Sequence, residues 1–120
     1  MKGIQIADLV KALELNVWAG ANGLGREVTG GYVSDLLSDV MGNADAGQLW
    51  ITLQTHKNVM AIASLKDLSA VLLVNGNRPD EDTAQQSNVE DIPILGSKLD
   101  AFELTGRVYE YLKQHAIIQR

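Results

Sequence analysis

The 120-residue chain contains no cysteine. That single absence excludes disulfides, thiolate catalysis, iron–sulfur ligation and cysteine-based zinc sites together. Long apolar runs are missing too: the longest mainly apolar stretch, Leu68 to Val74, falls far short of the roughly 20 residues that span a bilayer, and no signal-peptide core opens the chain. A cytoplasmic protein with no membrane partner is expected. Positive charge is in deficit, with 10 basic against 15 acidic side chains, a formal charge of −5, and no clustering of the basic residues. This works against the counterion release that dominates nonspecific nucleic-acid affinity, so nucleic acid is not an expected partner. Low-complexity sequence is absent, and 46% hydrophobic with 21% charged residues is an ordinary globular composition. One domain over 1–120 follows, large enough for a single core and too short for two.

What the chain does contain is one pattern used four times. Gly30-Gly31-Tyr32-Val33 runs into Ser34-Asp35, Leu49-Trp50-Ile51-Thr52 into Gln54-Thr55-His56-Lys57-Asn58, Val71–Val74 into Asn75-Gly76-Asn77-Arg78-Pro79, and Ile92–Leu95 into Gly96-Ser97-Lys98. Each is an extended apolar piece, a polar turn and a helix-like continuation. The pattern predicts an α/β fold: a mostly parallel sheet of about five strands with helices on both faces. Within it, 1–15 reads as an N-terminal helix carrying Ile6, Leu9, Val10 and Leu13, with Lys2 off that stripe; 16–33 reads as an extended pair; and 34–120 holds the repeated βα units.

The extended pair, Asn16–Ala19 and Arg26–Val33 around the glycines of 20–25, predicts a hairpin whose second run continues into the sheet. Leu36, Leu37, Val40 and Met41 form a helical stripe, with Ser34 or Asp35 placed to cap it. Leu68–Val74, apolar throughout, reads as the central strand. Ile92–Leu95, interrupted by Pro93, reads as lying toward an edge. Pro79–Asp82 opens a helix whose Gln, Ser and Asn content predicts exposure. Phe102, Leu104, Val108, Tyr111 and Leu112 mark a long final helix, after which Ile117 and Ile118 suit core packing or a dimer contact.

In a parallel sheet the four polar turns share one edge, where open α/β sheets bind ligands. Ser34, Asp35, Thr55, His56, Asn75, Gly76, Asn77, Arg78 and Ser97 are the ligand-binding candidates. Turn amides and hydroxyls would contact the ligand, Arg78 would pair with its charge, and His56 would hydrogen-bond it. Gly20–Arg26 does not match a phosphate loop, because its spacing is GxxGxG and an extended segment follows. Asp35 and Asp39, four apart, could build a magnesium site or an acid/base pair on one helix face, yet capping by Ser34 or Asp35 is the plainer reading. No metal, cofactor or catalytic residue is assigned, since no nucleophile–base pairing occurs.

Taken in order, 31–38, 47–52, 71–79 and 92–95 resemble the DRTGG domain, a regulatory module found beside catalytic and CBS domains. The resemblance implies a fold similar to the N-terminal domain of HPr kinase, without its kinase chemistry. Where that family has Asp-Arg this chain has Thr55-His56, and where it has Thr-Gly-Gly this chain has Val74-Asn75-Gly76. A stand-alone noncatalytic regulatory domain is therefore expected, a homodimer sensing a small anionic metabolite or nucleotide. The alternative is an interaction adaptor for a metabolic or electron-transfer enzyme, which would expose Trp18, Trp50, Ile117 and Ile118 as one patch. An acid/base enzyme using Asp35, Asp39 and His56 ranks last.

Overall fold

A computed structural model describes residues 3–119. Lys2, and the rest of the expected 1–15 helix before residue 3, lie outside the described residues. The order of elements is β1 (Ile4–Gln5), α1 (Ile6–Leu13), β2 (Asn16–Ala19), a 3-10 turn (Ala21–Gly23), β3 (Glu27–Val28), β4 (Gly30–Val33), α2 (Leu37–Asn43), β5 (Gln48–Thr52), α3 (Asn58–Leu65), β6 (Ala70–Leu73), α4 (Glu81–Glu90), β7 (Ile94–Gly96) and α5 (Ala101–Gln114). Five strands form the main sheet in the order β2-β7-β6-β5-β4, and β1 with β3 forms a separate two-stranded ribbon. β4, β5, β6 and β7 are mutually parallel, while β2 runs antiparallel to β7.

Alternation along the strands builds two cores. Leu49, Ile51, Ala70, Leu72 and Leu95 face α1 and α5, where Ile6, Leu9, Leu104, Val108 and Leu112 meet them. Trp50, Val71, Leu73 and Ile94 face the other way, toward Val40 of α2 and Val59, Met60, Ile62 and Ala63 of α3. Both faces of the sheet are thus covered, which is why β6 is apolar at every position and sits in the middle.

Four expectations are corrected. The extended pair is present, but its members do not form a hairpin: β2 pairs with β7, β3 with β1, and only β4 joins the sheet beside β5. The glycine turn carries the chain away instead of reversing it, because Gly20 donates its amide to Asn88 and Arg26 reaches the Asp91 carbonyl. Second, the Ile92–Leu95 strand is interior, between β2 and β6; Pro93 stands before its first residue, so its missing N–H removes no ladder bond, while its carbonyl accepts from Val71. Third, α4 is not simply exposed. It buries Thr83 and Ser87, whose hydroxyls donate to the carbonyls of Thr55 and Ile92 at 2.8 and 2.6 Å, so the inner face is polar yet satisfied. Fourth, Phe102 of the final stripe is 91% exposed, while Ile117 and Ile118 fold back against the first core.

Candidate functional site

The turns after β4, β5, β6 and β7 do meet at one edge, and hydrogen bonds run from each to the next. Ser34 and Asp35 are not helix caps, since α2 begins only at Leu37 and its first turn receives no side-chain cap. The Ser34 hydroxyl instead accepts the Leu36 amide at 3.1 Å, closing a local turn. Asp35 turns toward β5: its Oδ1 accepts from the Thr52 hydroxyl at 2.8 Å and the Leu53 amide at 2.9 Å, while its carbonyl accepts the Gln54 side-chain amide at 2.7 Å. The carboxylate ties two turns together.

Asp39 points elsewhere, so the helical pairing of Asp35 with Asp39 is not built. Tyr32 donates its hydroxyl to the Asp39 carboxylate at 2.9 and 3.0 Å, and the Asn43 side-chain amide donates to it at 2.9 Å. Hydrogen bonds from Ser34, Tyr32 and Asn43 hold the Asp39 carboxyl below its ordinary range, and the same contact raises the Tyr32 phenol. Among the described residues, no group of three or more His, Asp or Glu side chains converges to hold a metal.

The next turn is occupied in the same way. The Thr55 carbonyl accepts from the Asp80 amide at 3.1 Å as well as from Thr83. His56 places Nδ1 3.3 Å from Asp80 Oδ2, with 76% and 47% of the two side chains exposed. An imidazole with a carboxylate beside it and water around it is a weak anion receptor. Leu36 and Leu53 stand exposed in the turns that Asp35 joins, so this half of the edge mixes apolar groups and carboxylates with the exposed Lys57.

The turns after β6 and β7 differ. Asn75 and Gly76 adopt left-handed backbone, φ 60 and 72, and their amides donate to the carbonyls of Leu99 and Ser97 at 2.9 and 2.8 Å. The Ser97 hydroxyl accepts the Leu99 amide, and the Asn77 amide donates to the Val74 carbonyl. Backbone amides are spent here also, but cationic side chains are not. Arg78 is exposed and makes no ion pair or hydrogen bond within the described residues; its guanidinium carbon lies 4.4 Å from the Trp18 ring centroid. Lys98 passes Gly76, its Cγ 4.0 Å from where a Cβ there would stand.

Sequence reasoning brought the nine candidates to one edge, and the structure separates them into two groups. Asp35 joins the turn after β4 to the turn after β5, while Thr55 and His56 reach Asp80 in the turn after β6; Asn75, Gly76, Asn77 and Ser97 belong to the two bonded turns beside Arg78, whose guanidinium lies over Trp18. It missed Thr52, Gln54 and Asp80 as the partners that occupy the first group, and Trp18 as the support for the second. Trp18 carries no local signal, because its position depends on an antiparallel pairing with β7 far along the chain.

No family model matches the sequence, and no curated protein matches it. Among solved structures, the CBS and DRTGG domains of the regulatory region of Clostridium perfringens pyrophosphatase, complexed with the activator diadenosine tetraphosphate, superpose with a TM-score of 0.63 at 12% identity. The match covers 86% of this chain and 44% of that one, so the chain spans less than half of that structure's length. The likeness shows a DRTGG-like α/β fold, shared with a neighbour that is a regulatory region.

Proposed function

We propose that this chain is a noncatalytic regulatory domain, acting in the cytoplasm, that senses a small anionic or nucleotide-like metabolite at the carboxyl ends of its parallel strands. The observation that carries this reading is Arg78, a guanidinium without a carboxylate partner at the edge where open α/β sheets take ligands. The site draws in to Asn75, Gly76, Asn77, Arg78 and Ser97. Ser34, Asp35, Thr55 and His56 form its structural wall. The regulatory neighbour, complexed with a polyphosphate activator, supports the ligand class without identifying the ligand.

Thermal denaturation in ATP, acetyl phosphate or coenzyme A tests the reading. A ligand at ten times its Kd adds about 1.4 kcal/mol, enough to raise Tm by roughly 4–8 °C in a domain of this size. No rise with any of them at millimolar concentration contradicts it.

A protein contact has its own supporting observation, although not the expected one. Trp50 is wholly buried, and Trp18, Ile117 and Ile118 are partly buried against the cores, so those four do not form an exposed patch. Instead Phe102, Val33 (49% exposed) and Tyr109 (44%) line one shallow groove along α5, beside β4, which among the described residues is an edge strand. An exposed cluster of this kind marks an interaction face, and the reading assigns it to the homodimer. Light scattering should give a dimer mass that Phe102→Glu halves; a monomeric mass for the unmodified chain assigns the face to a partner enzyme instead.

A further inference from the structure

Three irregularities of the backbone and packing coincide at Trp18. The register of β2 against β7 slips there: Val17 pairs with Leu95 and Ala19 with Ile94, leaving Trp18 as the extra residue. Such bulges re-aim a side chain. The indole then lies on Gly96, at the carboxyl end of β7, where a Cβ would fall on the indole nitrogen. Finally, the Trp18 Nε1 donor is buried with no hydrogen-bond partner among the described residues. Buried donors are almost always satisfied, so this position is set by something other than hydrogen bonding. What the ring does there is carry the Arg78 guanidinium on its face at 4.4 Å.

A guanidinium stacked on an indole uses its flat face and keeps its rim of N–H donors available. Arginine ordinarily loses much rotamer freedom when it binds; stacking spends that loss before a ligand arrives. Lys98 is the cationic residue next along this edge, its Cγ passing Gly76, and neither it nor Arg78 meets a carboxylate among the described residues. Two cations and a forked donor suit a dianionic oxygen cluster better than a single carboxylate. A phosphoryl group carries close to two charges at neutral pH and accepts two parallel N–H bonds.

Resting on the regulatory reading above, we propose that the ligand docks by a phosphoryl group on Arg78, with Trp18 as the positioning residue that holds the guanidinium ready on the Gly96 shelf. The antiparallel strand β2 thus belongs to the site, although none of the βα turns includes it. Asn77 and Ser97 flank the phosphoryl group, and selectivity over carboxylates comes from Arg78 and Lys98 acting together.

The test is titration of the full chain with inorganic pyrophosphate at constant ionic strength, followed by calorimetry, for the unmodified protein and for Trp18→Phe, Trp18→Leu, Arg78→Lys and Arg78→Gln, each first shown folded by circular dichroism. Removing the stack with Trp18→Leu should weaken binding about 5-fold to 30-fold. Trp18→Phe, which keeps an aromatic face, should retain most of it. Arg78→Lys keeps the charge and loses the fork, so it should lie between the unmodified protein and Arg78→Gln. Equal affinity in Trp18→Leu and the unmodified chain overturns the positioning role while leaving the regulatory reading intact. Malonate binding as tightly as pyrophosphate overturns the phosphoryl assignment, again without touching that reading. Binding of ATP, acetyl phosphate or coenzyme A that Arg78→Gln does not weaken overturns the docking mode; no binding by any of these probes removes both.

Discussion

The two tryptophans summarise two halves of one sheet edge. Trp50, on β5, is wholly buried and donates its Nε1 to the Ser34 carbonyl at 2.8 Å. Trp18, on β2, is partly exposed, its Nε1 has no hydrogen-bond partner among the described residues, and its ring supports Arg78. Around Trp50 the turns are closed by hydrogen bonds among Asp35, Thr52, Leu53 and Gln54. Around Trp18 the amides of Asn75, Gly76, Asn77, Ser97 and Leu99 are bonded as well, but the Arg78 charge has no partner carboxylate among the described residues. A binding edge is therefore recognised less by polar residues gathered at strand ends than by which of them remain unspent after the loops have bonded to each other.

The most severe way to disturb this contrast is Gly96→Ala. Its Cβ would meet a rigid indole, where the structure has no flexible end to move aside. Overpacking of this kind costs about 1–3 kcal/mol, and Trp18 would be lifted from its shelf, so both urea stability and pyrophosphate affinity should fall. An unchanged affinity would separate Arg78 from the tryptophan beneath it.

Asp35→Ala should act on the other half alone. It strips partners from the Leu53 amide and from the hydroxyl of buried Thr52, at a cost of about 1–2 kcal/mol in chemical denaturation. Ligand affinity should stay where it was. A loss of affinity matching Arg78→Gln would show that the two halves form one site.

The smallest effect is the pH response of Asp39. Its folded-state pKa is lowered by hydrogen bonds from Ser34, Tyr32 and Asn43, so the folded carboxyl holds fewer protons than the unfolded one in the acidic range. Its contribution is complete above the ordinary carboxylate value of about 4 and is lost as pH falls through the lower folded value. Tyr32 works in the opposite sense, its raised pKa giving stability that is lost as pH rises through it. Stability measured from pH 7 down to pH 2 should show an acid limb that is shallower in Asp39→Asn. Identical limbs would remove Asp39 as its source.

Much of the architecture was legible because it depends on local pattern. The buried run 68–74 reads as a central strand because both faces of β6 are covered, and Ile6, Leu9 and Leu13 mark α1 by spacing alone. What could not be read were pairings between remote segments: β1 with β3 and β2 with β7 depend on residues that no window of sequence holds together. Residue type misled in two places. Thr83 and Ser87 look like solvent residues yet bond buried carbonyls, and Phe102 looks like core yet stands in solvent. The edge that carries the candidate site was legible from the repeated strand-turn-helix order. Its division into two halves was not, because that depends on Asp35 crossing to β5 and on Trp18 arriving from the antiparallel strand.

The central claim is that an anion enters beside Trp18 and not beside Trp50, and the two indole N–H groups report on it directly. In a proton–nitrogen NMR titration with pyrophosphate at constant ionic strength, the account predicts shifts of the Trp18 indole resonance and of backbone amides at 75–78 and 97–98, with the Trp50 indole unmoved. Shifts of Trp50, Leu53 and Gln54 with Trp18 unmoved would contradict it.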